Sequence, residues 1–135
     1  MPRDFNINIL TPEKVFFTGE VTHVIVATPE GEMGIMAEHM HSIGIVFEGI
    51  LKVERDDAWH WAAVGQGFFE VMAAGVEFFV DSAEWAEEID VSRSEMALKR
   101  AEKRLQGNLS QTDYLRTHAA IARARVRLSL AKSVL

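Results

Sequence analysis

Cysteine is absent from the 135-residue chain. That excludes a disulfide framework and a thiolate metal site, and it suits a reducing compartment. Long apolar runs are missing too: no stretch reaches the about 18 apolar residues of a membrane-spanning helix. The opening MPRDFNINIL lacks a positively charged segment followed by a long apolar run, so the expectation is a soluble, non-secreted chain. Local signatures of catalysis are equally scarce. There is no Ser/His/Asp set, no Walker-type glycine and lysine loop and no pair of glycosidase carboxylates. Gly65-Gln66-Gly67 resembles half of a nucleotide fingerprint, but strand-like FFEV follows it rather than a helix, and a turn is the simpler reading. Basic residues are few in the first two-thirds: residues 1–88 hold 16 Asp and Glu against 4 Lys and Arg. Phosphate contacts need cations, so this part argues against a nucleic-acid surface. It reads as a part that presents surfaces, not as a catalyst.

What the chain does have is a division of charge. Residues 1–88 carry 4 − 16 = −12, residues 89–135 carry 10 − 4 = +6, and the two sum to the net −6. Hydrophobic residues make up 48% of the sequence, enough for one modest core or a small core with an appendage. The boundary between the two charges falls in IDVSRS, Ile89 to Ser94. Such a split points to parts with different partners, or to parts that attract each other.

The periodicity changes at the same place. Up to about Asp81 the chain reads as short strands with turn signals roughly every 8 to 12 residues, the pattern of an all-β sandwich or barrel. Phe5, Ile7 and Ile9 alternate before Thr11-Pro12. VTHVIVAT is a β-branched run closed by Thr28-Pro29-Glu30-Gly31, where proline pre-sets a turn dihedral and glycine tolerates positive φ. GILKVER and AWHWAAV flank Asp56-Asp57, while FFEVM and VEFFV flank Ala73-Ala74-Gly75. Both pairs predict antiparallel hairpins. From Asp90 onward the period is helical. Asp90 is a good N-cap, and Val91 to Leu105 contains neither Gly nor Pro. Gly107-Asn108 ends that helix, and Ser110, Thr112 or Asp113 can cap a second. Leu115, Ala119, Ala122, Val126 and Ser129 form the expected packing stripe of this second helix. Helices of about 15 to 20 residues are marginal alone in water. The hairpin therefore needs a docking surface, which makes it a candidate moving part; a permanently packed hairpin is the alternative.

Two groups of side chains offer chemistry. His39-Met40-His41, with Glu38 and Glu48 nearby, places two imidazoles at i and i+2, as ligands on a strand would stand. A cupin-type metal enzyme uses such an H-x-H followed by Glu. The spacing from His41 to Glu48 is longer than that pattern prefers, and His60, between two tryptophans, is the only further histidine near at hand. Histidines on a polar loop are the simpler reading. The second group is arginines. Arg123 and Arg127 are i and i+4 on one helix face, with Arg116 further upstream, and guanidinium forks suit phosphate oxygens or carboxylates. In an antiparallel helix pair Arg93 approaches the end of the second helix, so three cations converge beside Asp90. A solvated basic face is the alternative.

Along nearly its whole length the sequence resembles a known family, the ε subunit of F-type ATP synthases. The matching pieces are LTPEKVFFTGEV (Leu10 to Val21), TPEGEMGI (Thr28 to Ile35) followed by His39, the hairpin start VGQGFFEV, the junction DSAEWAEEID, and the Arg/Ala-rich ending ARARVRLSLAK. The resemblance implies a mainly β plus α protein: an N-terminal flattened β-sandwich over residues 1–84, binding the γ subunit and the membrane c-ring, then a C-terminal antiparallel two-helix hairpin over residues 89–135. The hairpin of the family either folds on the sandwich or extends along γ, where it contacts the α/β catalytic hexamer and inhibits ATP hydrolysis. By the same resemblance the chain is no enzyme by itself, binds no nucleic acid, and is a peripheral protein on the cytoplasmic face of a bacterial cell membrane, touching the membrane only through the complex. A plastid thylakoid location is the alternative.

Some bacterial members carry an I/L-D-x-x-R-A motif that, with an upstream Glu and two arginines on the second helix, binds ATP and holds the hairpin folded. Ile89, Asp90 and Arg93 match the motif, Glu84 matches the upstream carboxylate, and Arg123 and Arg127 match the two arginines. Ser94 stands where the motif has Ala. The loop usually written P-G-H-A-P reads Ala37-Glu38-His39-Met40-His41, without its prolines. Glu32 and His39 are the residues the resemblance places near the c-ring and γ. No tightly bound cofactor is expected, with ATP as a regulatory ligand. A hydrogen bond to a charged group contributes roughly 1.5 to 3 kcal/mol. Three phosphate-facing arginines less the cost of ordering then give dissociation constants of roughly micromolar to millimolar, a range that suits sensing of cellular ATP.

Overall fold

The computed structural model describes residues 3–134; Met1, Pro2 and Leu135, at the ends of the expected domain ranges, lie outside the described residues. Ten strands come first: β1 Phe5–Leu10, β2 Val15–Val21, β3 His23–Thr28, β4 Gly31–Ile35, β5 Ser42–Val46, β6 Gly49–Arg55, β7 Ala58–Val64, β8 Gly67–Met72, β9 Gly75–Val80 and β10 Ala83–Trp85. A 3-10 turn, Ala86–Glu88, leads to α1, Val91–Leu105, and α2, Gln111–Val134. The strands form two five-stranded sheets, in the orders β2-β1-β9-β8-β5 and β10-β7-β6-β3-β4. The first sheet has one parallel pair, β1 with β9. The two expected hairpins are β6/β7 and β8/β9.

Alternation explains the sandwich. Ile7 and Ile9 of β1, Phe69 and Val71 of β8, and Phe78 and Val80 of β9 point inward from the first sheet. Val24 and Val26 of β3, and Leu51 and Val53 of β6, meet them from the second in one core. Side chains of period two put one apolar set on each inner face.

One expected strand divides. VTHVIVAT is not continuous: β2 ends at Val21 and β3 starts at His23, because the chain changes sheets at Thr22. There the Thr22 amide and hydroxyl both donate to the Glu54 carbonyl, at 2.8 and 3.1 Å. Strands β2, β4, β5 and β10, with weaker apolar alternation, complete the sheets.

The turns follow their residue chemistry. Asp56 and Asp57 both take left-handed φ, 52° and 61°, which matches the type I′ twist of a two-residue hairpin. At Gly65-Gln66-Gly67 the turn reading holds, and the glycines are there for close approach. A Cβ on Gly67 would lie 1.8 Å from the Phe79 carbonyl oxygen, and one on Gly65 1.6 Å from Asp81 Oδ1. The Gly65 amide donates to the Ser82 carbonyl at 2.9 Å, fixing the path from β9 into β10.

The helices depart from expectation in two ways. Helix α2 runs 24 residues, longer than the 15 to 20 expected of each helix, since no Gly or Pro interrupts it. Its packing stripe is also different. Leu115 is 61% exposed, and Ala122 and Ser129 are exposed as well. The residues it buries are Thr117, Ile121, Ala124, Leu130 and Ala131. The reason is that α2 serves two neighbours, α1 and the sandwich, and small or apolar residues lie all around it, so a single stripe cannot be read from spacing. Toward the sandwich, Leu130 and Val126 pack with Ile50, Trp61, Ala63, Ala86 and Ile89. This contact explains why β7 breaks its alternation. Ala62, Ala63 and Val64 are all buried, because the helix covers the outer face of β7.

Two outcomes follow from this packing. Gly67→Ala, which drives a methyl into backbone, is expected to cost more than the about 3 kcal/mol at the upper end of ordinary overpacking, read as a lowered denaturation midpoint. Leu130→Ala, at a fully buried site, is expected to weaken hairpin docking by about 2–5 kcal/mol. Native-state amide exchange should then speed up in α1 and α2 while β1, β8 and β9 keep their protection; equal loss in strands and helices would contradict it.

Candidate functional site

A cavity of about 410 Å³ opens where the hairpin meets the end of the sandwich. That volume lies in the range of small-ligand sites. The sandwich side supplies Glu84 from β10 and Glu88 from the 3-10 turn. Helix α1 and its N-cap supply Asp90, Arg93, Ser94 and Ala97, and α2 supplies Ala120, Arg123, Ala124 and Arg127. Each helix contributes residues at i, i+3, i+4 and i+7, one face of a helix. The two faces are opposed because the helices pair antiparallel. Alanines at 97, 120 and 124 leave the volume between the helices open.

The charges in this cavity differ in how they are engaged. Asp90 caps α1, its Oδ1 accepting from the Arg93 amide at 3.0 Å. Arg127 Nε donates to Glu84 Oε1 at 3.0 Å, tying α2 to β10 across a half-buried contact. Arg127 Nη1 also reaches the Arg123 carbonyl at 3.5 Å. Arg123 Nη1 lies 3.7 Å from Oε1 of Glu48, which stands on the sandwich between β5 and β6. Arg93 is exposed and pairs with no carboxylate among the described residues. The lining thus sets three carboxylates, Glu84, Glu88 and Asp90, against three guanidinium groups; Arg93 is unengaged, and the other two are held by carboxylates on the sandwich side.

The structure thus brings five of the six expected ATP-site residues to one cavity: Glu84, Asp90, Arg93, Arg123 and Arg127. The sixth, Ile89, does not line it. It packs with Leu130 and Ala63 and anchors the junction. Arg116 is exposed and outside the cavity. Ser94, in place of the motif's alanine, is 7% exposed and forms part of the wall. Glu88, Ala97, Ala120 and Ala124 were not anticipated, although for the three alanines the shared i, i+3, i+4, i+7 spacing with the expected residues was available as a signal.

Glu32 and His39 stand apart from each other. Glu32 is exposed on β4 and faces a cleft with Lys52, Arg125 and Ser129. His39 lies in the loop after β4, beside a second cleft that includes Arg3, Asp4 and His41. In that loop Glu38 takes a left-handed φ of 65° and pairs with Arg3, while His39 Nδ1 lies 3.0 Å from the Met40 carbonyl oxygen. His39 and His41 are on this loop rather than on a strand, and His60 is on β7. No group of three or more metal-ligating side chains occurs among the described residues.

Glu48 has a shifted acidity. Burial raises its pKa above the ordinary carboxylate value, the Arg123 charge opposes that shift, Asp81 adds to it and Arg127 opposes it again.

Comparison with known proteins covers both halves of the chain. Residues 4–86 match the ATP synthase delta/epsilon chain β-sandwich domain, and residues 87–132 match the ATP synthase delta/epsilon chain long α-helix domain. The ATP synthase epsilon chain of Ruminiclostridium cellulolyticum is 42% identical over 125 residues, 93% of each chain. That of Caldanaerobacter subterraneus subsp. tengcongensis is 37% identical over 132 residues, 97% of this chain and 96% of the relative. Among solved structures, a chain of the Euglena gracilis mitochondrial ATP synthase superposes with a TM-score of 0.79 at 22% identity, covering 100% of this chain and 84% of that one, a likeness of fold. With the two domains matched in order over residues 4–132, the chain belongs to the ATP synthase epsilon chain family.

Proposed function

We propose that this chain is a non-catalytic subunit of the central stalk of an F-type ATP synthase, that its sandwich couples rotation through γ and the c-ring, and that its hairpin restrains ATP hydrolysis under the control of ATP. The observation that carries the regulatory part is the convergence of Arg93 from α1 with Arg123 and Arg127 from α2 on one cavity at the root of the hairpin. Phosphate oxygens there bridge both helices. Arg93 is unengaged, so it binds without giving up a partner, and Arg127 keeps α2 against β10 through Glu84. ATP then stabilises the folded hairpin by its differential affinity for that form. An extended hairpin, carrying +6, is drawn instead to acidic surface on the α/β hexamer.

The sandwich has a surface suited to a protein partner. On the outer face of the first sheet, Ile43 (73% exposed) and Ile45 (57%) of the edge strand β5 lie beside Phe68 (46%) of β8, and Phe68 stacks on Phe79 with ring centroids 4.9 Å apart. An exposed apolar patch of this kind supports γ binding on that face. The membrane is reached through the complex, on its cytoplasmic face; no helix among the described residues is long and apolar enough to cross it. A cupin-like metal enzyme has no support in the histidine placement, because His39 and His41 lie on a loop and His60 on a separate strand. A generic sandwich adaptor with a fixed hairpin is separated from the regulatory reading by nucleotide binding.

Arg93→Ala is the sensitive variant, since it removes a guanidinium that pairs with no carboxylate. Losing one charge-assisted contact is expected to weaken ATP binding roughly 10- to 150-fold in calorimetric titration, with the melting temperature nearly unchanged. Arg127→Ala is expected to lose a similar factor while also loosening α2 through the loss of its Glu84 contact. Equal ATP affinity in wild type and both variants would leave the hairpin as a fixed adaptor element.

A further inference from the structure

Glu48 stands outside the cavity yet touches one of its arginines. It sits in the turn between β5 and β6, where the Phe47 amide donates to the Ala27 carbonyl at 2.9 Å and pins the turn to the sandwich. The Glu48 side chain is only 14% exposed. Its Oε1 lies 3.7 Å from Arg123 Nη1, too long for a hydrogen bond, and its Oε2 is buried without a hydrogen-bond partner. This is a poorly satisfied carboxylate held against a cation that also faces the ligand cavity. Arg123 is therefore the shared element: one guanidinium, a carboxylate on the sandwich side and open cavity on the other.

We propose that Glu48 is a positioning residue for Arg123, and that its carboxylate competes with a bound polyphosphate for that guanidinium, so that anion binding at the hairpin root is governed by the charge on Glu48. The inference rests on the nucleotide reading above. Binding phosphate at Arg123 draws the guanidinium away from Glu48 and leaves the carboxylate with less compensation. A protonated or neutral side chain at 48 removes both the competition and the repulsion of the incoming anion.

The charged groups acting on Glu48 are Arg123 and Arg127 of α2 and Asp81 at the end of β9. Burial and Asp81 favour its neutral form, and the two arginines favour its carboxylate, with burial the largest influence. Because the folded-state pKa is raised above the unfolded one, the stability linked to Glu48 is fully present below the ordinary carboxylate value and is lost as pH rises through the raised value. Lowering the pH should thus favour both the folded chain and anion binding.

The test is calorimetric titration of the full chain with ATP, wild type against Glu48→Gln, from about pH 8 to about pH 5. The expected result is binding roughly three- to tenfold tighter in Glu48→Gln at the alkaline end, with the two affinities converging as the pH falls. Protonation of ATP itself affects both proteins alike and cancels in the ratio. A wild type that binds ATP with the affinity of Glu48→Gln throughout overturns the competition while leaving the nucleotide site intact. A wild type that binds no ATP at millimolar concentration overturns the nucleotide reading and the competition together. A second measurement needs no ligand: the Glu48 carboxyl is followed by NMR in wild type and in Arg123→Ala. Its titration is expected to move upward in the variant, because a charge that favours the carboxylate is gone. A titration that stays in place overturns the pairing.

Discussion

The seat of α2 on the outer face of β7 is the contact on which the rest of the molecule's behaviour depends. Leu130 is fully buried against Ala63 and Ala86, with Val126, Ile50, Trp61 and Ile89 around it. Fully burying a leucine side chain contributes about 1.5–3 kcal/mol, while two helices of 15 and 24 residues are near the limit of independent stability in water. The helix side of this seat is only Leu130 and Val126, set against Ala63, Ala86, Ile50, Trp61 and Ile89, and so small a contact holds the hairpin by a modest margin. The sandwich has no such dependence, because its core is enclosed between two sheets, from Ile7 and Phe78 on one side to Val24 and Leu51 on the other. The structure therefore joins a firm part to one whose docking a weakly held ligand can influence.

Charge works in the same direction as packing. The +6 of the hairpin faces the −12 of the sandwich, but among the described residues only two contacts convert that difference into ion pairs between them: Arg127 with Glu84 and Arg123 with Glu48. The first is well formed at 3.0 Å, and the second is loose at 3.7 Å. Exposed or half-exposed pairs contribute little individually. The hairpin is oriented by them more than it is held by them, and its arginines stay available to a stronger anion.

How much of this was legible in the sequence depended on the distance over which each signal acts. Period-two alternation is local, so the strands around Ile7, Val24, Leu51 and Phe78 could be read directly, as could the Asp90 cap and the Asp56-Asp57 turn. The division at Thr22 could not, because its cause is a hydrogen bond to Glu54 on another strand. The packing stripe of α2 was misplaced for a related reason: alanine and other small residues surround that helix, and which face is buried is decided by α1 and β7, not by α2 alone. Arg123 and Arg127 were recognisable by their i, i+4 spacing. Glu48 was visible only as a carboxylate near two histidines, and nothing local ties it to an arginine on the last helix.

The composition of the cavity explains why a ligand there would read the state of the hairpin. Glu84 belongs to the last strand, Asp90, Arg93 and Ser94 to the first helix, and Arg123 and Arg127 to the second. None of these three elements carries the site alone. Unpairing α1 from α2 separates Arg93 from the other two arginines. Lifting α2 from the sandwich breaks Arg127 from Glu84 and Arg123 from Glu48 together. On the nucleotide reading proposed above, a polyphosphate that needs all three guanidinium groups favours the docked arrangement, and its selectivity comes from where the residues are placed in the chain rather than from any one strong contact.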